Sequence, residues 1–139
     1  MSADADCVFC RIVKGEIPAF KLYEDDDSLA FMDINPANEG HALAVPKEHA
    51  RDVHAISDQG LAAAMLAARK VASAVERTLG PAGLNLVQCN GEAAGQSVFH
   101  FHVHVLPRRQ GDELKLNWGL HPGDMDAIGT LAERIRANL

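Results

Sequence analysis

A chain of 139 residues, 47% of them hydrophobic, is long enough to bury one core, so a single domain over residues 1–139 is expected. No apolar run reaches the length of a membrane span, and the charged stretch Met1 to Asp6 has no signal-peptide character; neither a membrane nor secretion is expected. A net charge of −6 excludes nucleic acid as a main partner but not a small nucleotide, because a local site can reverse the global sign. The three cysteines, Cys7, Cys10 and Cys89, are an odd number, which points to a reducing cytoplasm rather than a disulfide framework.

Cys7-Val8-Phe9-Cys10 opens the ordered part of the chain. Such a pair is redox-active or half of a tetrahedral zinc site, and with no strand before it zinc is favoured if two more ligands exist. The competing reading is two small buried hydrophobes. A short helical turn is expected over 10–14, closed by Gly15 and followed by Pro18. Phe20 to Glu24 and Leu29 to Asp33 read as a hairpin, with the acidic run 25–28 as its solvated turn. Asp33 ends a strand; it can accept two ribose hydroxyls or merely cap the turn that begins at Asn35-Pro36. Gly40 to Pro46 is a third strand, nearly all apolar, in which His41 is the exception. His49 reads as a surface group, a cap or a metal ligand, and His54 as surface.

Ser57 or Asp58 caps a long helix, Gln59 to Leu79, stopped by Gly80-Pro81. Leu61, Met65, Ala68, Ala72, Val75 and Leu79 recur at steps of three and four and form its apolar stripe, facing the core or a second subunit. Leu84 to Cys89 is a fourth strand, and Asn90-Gly91 a turn. Gly91 to Ser97 is a small-residue loop whose backbone can approach an anion closely. Val98 to Leu106 is the fifth strand. On it His100, His102 and His104, spaced by two, share one face, while Phe101, Val103 and Val105 point into the core. A rigid element then presents three groups that exchange protons near neutral pH. Pro107 to Asp112 ends the sheet, Trp118 lies in a loop, and Asp124 to Leu139 carries apolar residues at helical spacing. The expected fold is α+β: an antiparallel sheet of about five strands, one long helix, a short N-terminal helix and a C-terminal helix.

These motifs together resemble the histidine triad (HIT) family. His100 to Leu106 matches its signature of three histidines alternating with apolar residues. The match extends through Cys7 and Cys10, Gly15-Glu16-Ile17-Pro18, Asp33, Gly40-His41, Pro46-Lys47-Glu48-His49, Asn90-Gly91 and Gly95-Gln96-Ser97. It covers residues 7–112 and leaves 113–139 as an extension. The family comprises nucleotide hydrolases and transferases acting at an α-phosphate, usually as homodimers. The Cys-x-x-Cys and long helix resemble its bacterial Hint-like branch, which hydrolyses purine nucleoside phosphoramidates such as adenosine monophosphoramidate. Leu106-Pro107-Arg108 is closer to the Fhit-like branch, which cleaves diadenosine polyphosphates. An alternative of another class is a zinc-stabilised nucleotide-binding module with little catalysis.

The resemblance implies roles residue by residue. His102 would be the nucleophile forming a nucleotidyl-histidine adduct. His104 would bind phosphate or handle the leaving-group proton, His100 would relay to His102, and His41 would close the site. Ser97, Val98 and the backbone at Gln96 would donate to phosphoryl oxygens, and Asn90 would bind the phosphate or leaving-group end. Asp33 would hold the ribose of a purine nucleotide such as AMP, with Phe9, Ile12, Phe31 and Ile34 walling the base. The bacterial relatives with this Cys-x-x-Cys imply a structural zinc on Cys7, Cys10, His49 and His100, and no metal for the chemistry itself.

Overall fold

The computed structural model describes residues 4–139; the first three residues of the Met1 to Asp6 stretch lie outside them. Five antiparallel strands form one sheet: β1 (Lys21–Glu24), β2 (Ser28–Met32), β3 (Ala42–Pro46), β4 (Gly83–Val87) and β5 (Val103–Arg108), in the order β1-β2-β3-β5-β4. Three helices accompany it: α1 (Val8–Val13), α2 (Asp58–Leu79) and α3 (Met125–Arg136). No helix among the described residues is long and apolar enough to cross a membrane.

The period-2 rule divides the sheet into two chemically distinct faces. Ala30, Ala42, Ala44, Phe101, Val103 and Val105 point toward α2 and meet its Ala64, Ala67, Ala68 and Val71. Leu29, Phe31, Leu43 and Val45 point the other way, toward Phe9 and Ile12 of α1. Alanine opposite alanine brings the α2 backbone close to the strands, a contact that long side chains would hold apart. Both ends of α2 are fixed locally. Ser57 Oγ accepts from Gly60 N at 3.0 Å, and Gly80 closes the helix in the left-handed conformation at φ 54°.

Two expectations are corrected. The expected α2 stripe divides: Ala68 is buried and Ala72 and Val75 pack against the core, whereas Leu61, Met65 and Leu79 are about 40% exposed, and Gly60, Ala64, Ala67 and Val71 complete the buried face. Periodicity located the helix, but the alanine-lined strands selected its small-residue face. Second, the histidine strand begins at Val103 rather than Val98 and runs through Pro107 to Arg108. Ahead of it Phe101 N donates to Ala50 O at 2.7 Å, a loop contact rather than a ladder bond. The triad therefore straddles the start of a strand: His100 and His102 precede it and His104 lies on it, while Phe101, Val103 and Val105 all pack on the α2 side. Helix α3 forms as expected but buries no residue; Met125, Ile128, Leu131 and Ile135 are all exposed.

Candidate active site and metal centre

Two clusters lie at the start of β5. In the first, His102 Nδ1 lies 2.7 Å from the His100 carbonyl oxygen. A carbonyl only accepts, so Nδ1 carries the proton and Nε2 keeps a bare lone pair. Burial pushes the His102 ring below the ordinary histidine range, partly offset by that carbonyl, which keeps it neutral near pH 7. Phe9 packs edge-on against the ring, with centroids 5.2 Å apart.

His104 belongs to a second hydrogen-bond chain, through His41. The Ala37 N–H donates to His41 Nδ1 at 3.0 Å, which leaves the His41 proton on Nε2. That nitrogen is 2.9 Å from His104 Nδ1 and 3.4 Å from Asp33 Oδ2. His104 Nδ1 thus accepts, and its own proton is presented at Nε2. Burial, then the neighbouring His102 and His41 rings, lower His104 to about 4. Burial also lowers His41, against the pull of Asp33. The side by side placement of His102 and His104 (rings 4.9 Å apart) joins a nucleophilic nitrogen to a hydrogen-bond donor.

Both rings line a cavity of about 410 Å³ together with Asp33, Ser97 and Val98 and the apolar side chains of Phe9, Ile12, Phe31 and Ile34. The volume suits a small ligand, and the mixed lining suits one that joins an apolar ring to a polar group. Ile17, Pro18, Ala19 and Leu43 also line it. They were not assigned to the site from sequence, although Ile17-Pro18 lay in a matched motif.

Asn90 and Gln96 are placed elsewhere. Asn90 Oδ1 accepts from Val53 N at 2.8 Å, and its amide pairs with that of Gln88. Gln96 is buried, donates to Arg51 O at 2.7 Å and accepts from Gly91 N at 2.8 Å, and its backbone N–H is bonded to Gly91 O. Neither lines the cavity. They brace the 50–56 and 90–97 loops against each other, holding Ser97 and Val98 at the cavity wall. Gly91 and Gly95, both at φ 89°, give this loop the left-handed turns that other residues resist.

The second cluster is Cys7, Cys10, His49 and His100, whose candidate ligand atoms all lie within 4.8 Å of one another. Cys7 Sγ and Cys10 Sγ are 3.4 and 3.5 Å from His100 Nδ1, Cys10 Sγ is 3.4 Å from His49 Nδ1, and the two Nδ1 atoms are 3.2 Å apart. A tetrahedral zinc with ordinary bond lengths has sulfur–nitrogen edges of about 3.6 Å and nitrogen–nitrogen edges of about 3.3 Å. His100 Nε2 lies 2.8 Å from Pro46 O and donates to it, which turns the Nδ1 lone pair toward the thiols. Burial holds His100 down at about 4, so it stays a neutral ligand. Burial raises the Cys10 thiol, and a cation at the centre would supply the charge its thiolate needs. The donor set fits zinc.

Asp33, His41 and His104 also come within ligand distance of one another. Their protonation speaks against a metal there: the Ala37 N–H keeps the His41 proton on the very nitrogen that would have to bind. That group is a hydrogen-bond relay.

Two histidine clusters, one fit for a metal and one that sets a bare imidazole nitrogen beside a donor, on a five-stranded sheet with one long helix define a histidine triad protein. The comparisons agree: the HIT domain matches residues 14–111, and the chain belongs to that family. It is 42% identical to adenosine 5'-monophosphoramidase HNT1 of Saccharomyces cerevisiae, over 98% of this chain and 84% of that one. The crystal structure of SMU.412c from Streptococcus mutans superimposes with a TM-score of 0.92 at 42% identity, covering 98% of this chain and 87% of the other. A zinc-bound histidine triad family protein from Mycobacterium smegmatis superimposes with a TM-score of 0.74 at 36% identity, covering 95% and 97%.

Proposed function

We propose that this chain hydrolyses a nucleotide at its α-phosphate, with purine nucleoside phosphoramidates such as adenosine 5'-monophosphoramidate as substrates. The observation that carries the reading is the 2.7 Å bond from His102 to the His100 carbonyl, which leaves the lone pair on Nε2 of a ring that lines the cavity. Imidazole nitrogen is a good nucleophile at neutral pH, and its phosphoryl adduct hydrolyses readily, so one difficult displacement becomes two easier ones. In the first, His102 Nε2 bonds to phosphorus while the phosphorus–nitrogen bond breaks, and the leaving amine takes up a proton. His104 Nε2–H stands beside His102 to assist that departure. In the second, a water oxygen bonds to phosphorus, the histidine–phosphorus bond breaks, and the water's proton replaces the one given up. Ser97 donates to the phosphoryl oxygens, Asp33 takes the ribose hydroxyls, and Phe9, Ile12, Phe31 and Ile34 hold the base. The relative from Saccharomyces cerevisiae, named as a phosphoramidase, supports the substrate class.

Zinc on Cys7, Cys10, His49 and His100 is the structural part of the same reading. Bound there it joins α1 to the start of β5, leaving His102, His104 and His41 to the chemistry. We read the chain as a homodimer, a reading supported by the exposed apolar residues Leu61, Met65 and Leu66 of α2 and by the open edge of β4. A cytoplasmic setting suits three free cysteines. Arg108, part of the Fhit-like signature, is bonded to Asp112 and Asn85 and does not line the cavity, so that signature lends the dinucleotide alternative no support.

Turnover of adenosine 5'-monophosphoramidate is tested against diadenosine tetraphosphate. The phosphoramidate is expected to be the better substrate, and His102→Asn to abolish its hydrolysis while AMP still binds. Wild-type turnover by that variant would remove His102 as nucleophile. AMP binding by the wild type with turnover of neither substrate would leave a binding module.

A further inference from the structure

The loop between β2 and β3 carries both Asp33 and His41, and its conformation fixes the His41 tautomer through the Ala37 N–H at 3.0 Å. Within the loop His41 N donates to Asn38 O at 3.1 Å, so Asn38 sits between the two backbone groups that hold the ring and its residue. The Asn38 side chain leaves the loop altogether. Its Nδ2 donates to Pro107 O at 3.0 Å and to Asp112 Oδ2 at 2.9 Å, using both amide protons on groups about seventy residues away.

Asp112 is itself held on every side. Its side chain is only 3% exposed. Arg108 grips it through Nε to Oδ2 and Nη2 to Oδ1, both at 2.8 Å, and Arg109 N donates to Oδ2 at 3.1 Å. The remaining Arg108 contacts are Nη1 to Asn85 Oδ1 at 2.9 Å, in β4, and Nη2 to Leu114 O at 3.0 Å. A bidentate, nearly dry arginine–carboxylate pair is a rigid anchor. It stands on the end of β5, the strand that carries His104. The anchor therefore references the His41 loop to the strand that bears His41's hydrogen-bond partner.

From this arrangement we infer that Asn38 and Asp112 are positioning residues for the reaction: they lock the β2–β3 loop so that His41 keeps its proton on Nε2 and aims it at His104 Nδ1. This rests on the proposed hydrolysis, because the relay matters only if His104 serves the transferring group. Neither residue lines the cavity or touches the space a substrate would fill. Their effect on rate runs through His41. Releasing the loop lets the Ala37 N–H move off Nδ1, and a mixture of His41 tautomers then presents His104 with a lone pair for part of the time.

The test uses Asn38→Ala and the near-isosteric Asp112→Asn in the full chain, with steady-state kinetics on adenosine 5'-monophosphoramidate and long-range proton–nitrogen spectra of the imidazoles. The wild type is expected to show His41 as a single Nε2–H tautomer. Asn38→Ala is expected to lower kcat roughly tenfold with KM changed less than twofold, and to move the His41 nitrogens toward a tautomer average. Asp112→Asn should do the same to a smaller extent, and serves if Asn38→Ala does not fold. Wild-type kcat with an unmoved His41 spectrum in either folded variant would overturn the inference, as would a wild-type spectrum with the His41 proton on Nδ1. The spectra do not need turnover, so they read the coupling even if the hydrolytic reading fails. If instead His102→Asn is inactive but Asn38→Ala is not impaired, hydrolysis stands and the positioning role falls.

Discussion

Replacing Cys10 by serine removes one thiolate from a site that is nearly built before any metal arrives. The four measured separations, 3.2 to 3.5 Å, sit within a few tenths of an ångström of the edges expected around tetrahedral zinc, so binding requires little rearrangement. Because the pair from Cys7 and Cys10, the loop bearing His49 and the approach to β5 meet only here, a metal in this site would be bound by the folded chain and not by the unfolded one. A metal held at a thousandfold above its dissociation constant then adds about 4 kcal/mol. For a chain of this length that corresponds to about 12 °C in Tm. Cys10→Ser should accordingly lose the metal and melt about 12 °C lower, and chelation should lower the wild type but not the variant. Elemental analysis of protein grown with zinc should find one ion per chain. Metal-free wild-type protein, or a variant that melts with the wild type, would refute the reasoning. Activity should fall far less than stability. The His100 carbonyl that orients His102 is also held by Phe101 N–H to Ala50 O and by the His100 ring on Pro46 O.

Three further outcomes follow from the same geometry. His104 lies at about 4 in the fold against 6.5 unfolded, so its contribution to stability is complete above pH 6.5 and declines as pH falls toward 4. For a half-buried ring screened by water this amounts to about 1 kcal/mol between pH 7 and pH 5, read as a denaturant midpoint that falls less in His104→Gln; equal falls would refute it. Phe9→Ala should cost about 3–5 kcal/mol, since Phe9 is buried against Phe31, His100 and His102, whereas Phe9→Leu should fold and chiefly raise KM; an unchanged KM would take Phe9 out of the base pocket. Met65→Glu with Leu66→Glu should halve the mass seen by light scattering without unfolding the chain, and a wild type already monomeric at micromolar concentration would count against the dimer.

The parts legible in the sequence were those governed by local rules. Alternation placed Phe101, Val103 and Val105 in the core, Ser57 and Gly80 bounded α2, and the three histidines marked the site. Long-range competition decided the rest. The Phe101 amide could have joined a ladder, but Ala50 O, about fifty residues away, takes it and delays β5 until Val103. Of the apolar stripe of α2, Ala68, Ala72 and Val75 meet the core, whereas Leu61, Met65 and Leu79 stay exposed, since strands lined with Ala30, Ala42 and Ala44 pack against Ala64, Ala67, Ala68 and Val71. Gln96 had the neighbours of an anion-binding loop, yet its amide is spent on Arg51 and Gly91. Asn38 and Asp112 gave no signal at all, because an asparagine in a loop and an aspartate after a glycine turn are ordinary until the fold brings them together.

Phe101, Val103 and Val105 all pack toward α2, so the alternation that separates them from the three histidines holds through the approach to β5. The His100 ring meets the two thiols while its carbonyl lies 2.7 Å from His102 Nδ1. One residue thereby offers its ring to the candidate metal site and its backbone to the orientation of the neighbouring imidazole. His102 and His104 are then distinguished by what meets Nδ1: a carbonyl in one case, the His41 proton in the other. The identical side chains come out with opposite polarity at Nε2, a lone pair beside a donor. The proposed attack on phosphorus and assistance to a leaving group require that difference, and the His100 carbonyl and the His41 ring supply it without any change in residue type.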